Sequence, residues 1–176
     1  MSGFIGGKME IWDGYNKDGT KAGIDLVRGE DIPDGIYFMT VEILVRHTDG
    51  DYLLMKRDGS KPAFPGFFEA TAGGAAQKGE TPLEAAKREL AEETGAVAEK
   101  FIPLGVVDTT PALIDEKIHL YMAEGLTFGQ MHPDEGEFLG VELIPLATLL
   151  DMVMSGEIRD GKTQIAILKA ARIKGI

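Results

Sequence analysis

An α+β architecture, with a mixed β-sheet between helices as an α/β/α sandwich and a short β-hairpin in front of it, is predicted by the order of patterns along the chain. Strand-like runs come first, one sharply punctuated helix interrupts them near the middle, and further strands give way to two helical stretches. Composition agrees: 44% apolar and 27% charged residues are ordinary for a globular protein and too apolar for a disordered one. With 176 residues, one elaborated domain is expected, divided into an N-terminal extension (1–35) and a main domain (36–176).

Taken in order, Met9 to Arg28 reads as extended chain around a turn at Lys17-Asp18-Gly19-Thr20, a hairpin with Trp12 and Tyr15 as packing anchors. After the turn-forming Pro33-Asp34-Gly35, Tyr37 to Arg46 is β-branched and apolar, and a polar turn leads into the strand YLLMKR, Tyr52 to Arg57. Gly59 to Phe68 is a loop punctuated by Pro and Gly, and Glu69 to Gly74 is a short extended piece. The helix that follows has complete signals: Thr81 as N-cap, Pro82 at the first helical position, Glu84 closing a capping box and Gly95 just past the end. Phe101 to Asp108, Lys117 to Ala123 and Val141 to Ile144 read as strands; Pro145 to Met154 and Thr163 to Ile173 read as the closing helices.

Several classes of function are excluded early. Asp plus Glu number 29 against 18 Lys plus Arg, and the net charge of -11 repels a nucleic-acid backbone, so an anionic substrate must be met by metal ions or a few placed cations. The absence of cysteine rules out disulfides, thiolate nucleophiles and Cys-containing zinc sites. No long apolar run follows a basic start and no stretch approaches the roughly 18 apolar residues of a membrane span, so a soluble cytoplasmic protein with no membrane partner is expected.

Chemistry concentrates in the middle helix. Glu89, Glu92 and Glu93 are spaced i, i+3 and i+4, so their carboxylates leave one face of one turn and repel each other unless a counter-ion intervenes. A solvated acidic stripe is the competing reading. Against it stand the apolar flank of Leu83, Ala86 and Leu90 and the upstream Ala72-Gly73-Gly74, where backbone can approach a ligand closely. Magnesium prefers such oxygen donors and bridges them to substrate phosphates.

The segment from Gly74 to Ala96, GAAQKGETPLEAAKRELAEETGA, resembles the Nudix box, with Gly74, Glu80, Arg88, Glu89, Leu90, Glu92, Glu93 and Gly95 in register. Only the closing position departs, with Ala96 where Ile, Leu or Val is usual. The resemblance implies that Glu89, Glu92 and Glu93 hold Mg2+, with Mn2+ as a substitute, that the Gly73 carbonyl is a further ligand, and that Arg88 and Glu80 brace loop and helix. It also implies hydrolysis of a phosphoanhydride, the metals neutralising charge and activating an in-line water. The general base is a box glutamate, Glu93 first, or Glu137 in the acidic loop His132 to Leu139; solvated loop charge is the other reading of Glu137.

Arg57 and Lys61 are candidates for gripping substrate phosphates, against ordinary surface charge. Phe67 and Phe68 are candidates for stacking on a base, against a core role beside a Pro-Gly turn. Gly156 to Thr163, GEIRDGKT, satisfies the Walker A spacing, but a helical pattern precedes it and thirteen residues follow, so it is read as a helix connection.

Two branches of the superfamily are represented. The downstream part, with Pro111 about fifteen residues beyond the box, resembles ADP-ribose pyrophosphatases, although Ala112 stands where Gly is usual. The upstream part is similar to the isopentenyl diphosphate isomerase branch, yet Ala72 and Gly74 occupy the places of that enzyme's Cys and His, which argues against isomerase chemistry. The expected substrate is a nucleoside diphosphate linked to another moiety, ADP-ribose or a nucleotide sugar first. A nucleoside triphosphate or other small organic diphosphate, and a non-catalytic nucleotide sensor, are the alternatives. The resemblance suggests a homodimer completed by the hairpin; the other arrangement has the hairpin extend the monomer's sheet.

Overall fold

A computed structural model describes residues 9–57, 59, 64–109, 116–128 and 140–176. The N-terminal hairpin pairs β1 (Ile11–Tyr15) with β2 (Lys21–Val27) antiparallel, its turn closed by Asn16 N–H to the Thr20 carbonyl at 2.8 Å. It stays a two-stranded sheet of its own and does not extend the main one. Tyr15 and Tyr37 exchange backbone bonds of 2.8 and 2.9 Å, and the Lys78 N–H donates to the Ile11 carbonyl at 2.8 Å, so the hairpin docks on the loop that leads to the middle helix. This pairing of Tyr37 explains why the next strand starts three residues later than expected.

That strand, β3 (Thr40–Arg46), is apolar on both faces because it is central, with β8 (Lys117–Phe128) parallel to one edge. Its other edge is shared. Near the turn, β4 (Tyr52–Lys56) pairs at Val45–Leu53 and Arg46–Tyr52; farther down, β6 (Ala72–Ala75) takes over along Thr40–Ile43, while β5 (Phe68–Ala70) pairs β4. The two strands thus fork, and the β5–β6 segment fills the gap. Thr71, fully buried at its bend, donates its hydroxyl to the Leu53 carbonyl at 2.5 Å and accepts the Val45 N–H at 3.0 Å, so both backbone groups at the crotch are satisfied.

The expected caps of α1 (Pro82–Thr94) are present: Thr81 and Glu84 form the reciprocal capping box, and Gly95, left-handed at φ 66°, donates to the Ala91 carbonyl at 2.9 Å. Antiparallel pairing with β8 extends β7 (Ala96–Asp108) back to Ala96, five residues before the local pattern becomes strand-like at Phe101. A bulge between Pro103 and Gly105 turns Leu104 into the core. β9 (Gly140–Ile144) covers the far edge of β4, and the chain closes with α2 (Leu146–Ser155) and α3 (Gly161–Lys174).

Alternation along β3 divides the core. Val41, Ile43 and Val45 pack against Ala85, Ala86 and Leu90 of α1; Leu44 joins Leu54, Leu120 and Met122 under Leu149, Ile167 and Ala170 of α2 and α3. Glu42, on the Leu44 side, is the acid that this pattern buries. The architecture is therefore α+β, a mixed sheet layered between helices with a hairpin in front. Among the described residues no helix is long and apolar enough to cross a membrane.

Candidate active site

The fork sends Gly73 and Gly74 directly beneath the last turns of α1. A Cβ on Gly74 would overlap the Glu89 carboxylate, 2.6 Å from its carbon, and one on Gly73 would lie 2.7 Å from Glu42 Oε2 and 2.8 Å from the Val41 carbonyl oxygen. Only glycine permits this approach of strand and helix. Glu89, Glu92, Glu93, Gly73 and Gly74 line one cavity of about 270 Å³, together with Glu10, Trp12 and Arg28 of the hairpin.

Arg88 organises the acids. Its guanidinium donates to both oxygens of Glu80 at 2.8 and 3.0 Å, to Glu89 at 2.8 Å, to Glu92 at 2.9 Å and to the Ala75 carbonyl at 2.9 Å. Burial works against its charge, but the bonds to Glu80 and the neighbouring Glu89 and Glu92 outweigh it and hold its pKa above the ordinary range. Glu80 also accepts the Gln77 N–H at 2.7 Å, which ties the loop to the helix. Burial raises the pKa of Glu89 and Arg88 opposes the rise, while the charges of Glu92 and Glu10 add to it.

These donors fit a hard divalent cation: all are oxygens, Glu89 and Glu93 are half-buried, and the Gly73–Gly74 backbone lines the same cavity. Among the described residues no three acidic or histidine side chains are already gathered around one point. Glu89 and Glu92 are instead engaged by Arg88, so binding an ion requires small rotations of those carboxylates.

The remaining sequence candidates divide. Arg57 lines a second cavity of about 320 Å³, on the other side of Gly73 and Glu93, and lies 3.8 Å from Glu69. Phe68 corrects an expectation: it is only 5% exposed, in the core beneath α2 and α3, with Lys56 over its ring at 4.8 Å, and it presents no face to a base. Lys61, Pro111, Ala112 and Glu137 lie outside the described residues.

Three residues at the cleft carried other readings or none. Trp12, expected as a packing anchor, stacks on Phe38 at 4.6 Å and also lines the acidic cavity, its indole N–H buried without a partner among the described residues. Glu42, a lone acid in an apolar strand, was a visible signal, since such a residue must be paired when buried. Burial pushes its pKa well above the ordinary range; Lys162 opposes this, and Asp160, Glu69 and Glu93 reinforce it. Lys162 comes from GEIRDGKT, which does connect α2 to α3, as expected. Asp160 caps α3 and binds the lysine at 3.0 Å, and Glu42 lies 3.9 Å from it.

Comparison with known proteins agrees with this geometry. A Bacillus subtilis protein named ADP-ribose pyrophosphatase is 37% identical over 122 residues, 68% of this chain and 65% of its own length. A Yersinia enterocolitica GDP-mannose pyrophosphatase is 32% identical over 100 residues, 55% of this chain and 52% of that one. The alignments therefore span about half to two thirds of these relatives. The fold recurs in a crystal structure of an ADP compounds hydrolase, with a TM-score of 0.68 at 23% identity over 90% of this chain and 81% of that chain. A Deinococcus radiodurans structure matches at a TM-score of 0.63 and 23% identity, covering 92% and 98% of the two chains. The NUDIX domain model matches residues 37–163, and with the box, the fork and the acidic helix in place the chain belongs to the NUDIX domain family.

Proposed function

We propose that this chain is a magnesium-dependent pyrophosphohydrolase that cuts the diphosphate of a nucleoside diphosphate sugar, ADP-ribose first among them. The observation that carries this reading is that Glu89, Glu92 and Glu93 line one cavity with the Gly73–Gly74 backbone, and that Gly73 and Glu93 also line a second polar cavity. The relatives' names, an ADP-ribose pyrophosphatase and a GDP-mannose pyrophosphatase, support this class of substrate.

Glu89, Glu92 and Glu93, with the Gly73 carbonyl, would hold the magnesium. When bound, it supplies positive charge against the diphosphate and makes a nearby water more acidic. Arg88 and Glu80 keep the acidic turn against β6, so the helix that carries the carboxylates is fixed in place before substrate arrives. Arg57, in the wall of the second cavity, offers a forked donor to phosphate oxygens. Glu93 lines both cavities and is the first candidate to take the proton from the attacking water. Trp12 offers an aromatic face at the hairpin side for the base.

Release of nucleoside monophosphate and sugar phosphate from a panel of diphosphates, with magnesium and then with chelator, tests the proposal. Turnover of ADP-ribose or a related sugar is expected with the metal and is abolished by the chelator. Glu93→Gln is expected to lower turnover by about two orders of magnitude or more while the fold is retained, in line with the loss of a general base. Near-normal turnover in that variant removes Glu93 from the mechanism, and cleavage of nucleoside triphosphates alone rejects the sugar substrates.

A further inference from the structure

The second cavity has a composition of its own. Among the described residues its polar walls are Glu42, Glu69, Thr71, Arg57 and Lys162, with Glu93 on the side shared with the first cavity, and apolar surface comes mainly from Met55 and small alanines. Among the described residues no aromatic side chain lines it, so none of them offers a purine or pyrimidine a stacking partner there. Beyond Arg57, assigned above to the diphosphate, Lys162 faces Glu42 and Glu69, so a further phosphate dianion gains little net attraction. Carboxylates that accept and cations that donate, together lining about 320 Å³, match a small ligand whose groups do both. A sugar's hydroxyls have that property.

Lys162 is built into this wall. Thr163 behind it is fully buried: its hydroxyl donates to Asp160 at 2.5 Å and accepts the Ala70 N–H at 2.8 Å, locking the start of α3 onto β5. Asp160 takes one donor of the Lys162 ammonium at 3.0 Å, and Glu42 at 3.9 Å supplies charge without a close hydrogen bond. An ammonium has three donors. Those that Asp160 does not use are available to a ligand in the cavity.

Resting on the proposed hydrolase reading, we infer that this cavity is the pocket for the terminal sugar, and that Lys162, supplied by the Walker-like GEIRDGKT segment, is a specificity-determining residue that donates to its hydroxyls, with Glu69 accepting opposite. The lysine is poised for this by the same surroundings that keep it charged. Burial disfavours the ammonium, but Glu42 and Asp160 outweigh burial and raise its pKa.

Titration calorimetry in magnesium tests the assignment without turnover, comparing the α,β-methylene analogue of ADP-ribose with the same analogue carrying a methyl group in place of the ribose. The wild type is expected to bind the sugar analogue more tightly. In Lys162→Met the gap closes by about tenfold to a hundredfold, the range for a lost charged hydrogen bond, and Lys162→Arg restores part of it. Since Lys162→Met leaves Glu42 buried without its cation, the double variant Glu42→Gln, Lys162→Met repeats the measurement without that strain, and thermal melting follows the fold of each. Equal affinities in the wild type, or a gap that survives in the double variant, overturns the inference. Absence of hydrolysis of any nucleoside diphosphate derivative sinks the enzyme reading separately, because the binding gap does not depend on cleavage.

Discussion

At position 74 the absence of a side chain lets Glu89 lie against β6, where Arg88 holds it. Gly74→Ala places a methyl group in the space of the Glu89 carboxylate, which must swing outward. We expect the variant to fold and to bind magnesium about tenfold to a hundredfold more weakly, the range seen when groups that orient ligands are displaced; calorimetric titration of the metal measures it. Unchanged affinity would exclude Glu89 as a ligand. The sequence disclosed this residue pair well, because the box carries both at fixed spacing. Phe68 was less legible: beside a Pro-Gly turn, an aromatic ring suits a cleft or a core, and the pairing of β5 with β4 directs it inward. Trp12 shows the converse, since a hairpin anchor acquires a second face once the hairpin docks beside Gly73 and Gly74.

Among the elements, the fork of β3 and β4 does most to place the cleft, and Thr71 holds it open. Removing its hydroxyl leaves the Val45 N–H and the Leu53 carbonyl buried and unpaired. Thr71→Val, which keeps the shape, is expected to cost about 1–3 kcal/mol for each group so stranded, measured by urea unfolding. Loss of less than that for even one group would show that the fork is supported elsewhere. No local pattern announces such a fork, because the segment Glu69 to Gly74 reads as one extended piece and divides only when two partners claim its halves. The middle helix is the opposite case. Its capping box, Pro82 and Gly95 act within a turn of where they stand, so α1 was readable to its ends.

On the scale of the whole molecule, hairpin, sheet and helices meet around one cleft, and Trp12 makes that arrangement measurable because it is the one tryptophan in the chain. Its fluorescence is expected to change when the ADP-ribose methylene analogue binds with magnesium. Trp12→Leu is expected to weaken that binding by about tenfold or more, as loss of base stacking does. An unchanged signal and affinity would place the base elsewhere. Local chemistry along the chain was enough to specify the acidic turn, its caps and the family, because each depends on residues a few positions apart. The meeting of Glu42, Lys162 and Glu69 needed the folded sheet, with β3, β5 and the start of α3 drawn to one side of Gly73. Charges far apart in sequence have no fixed distance until burial of the apolar faces sets one, so the acidic helix could be read in advance while the pocket beside it could not.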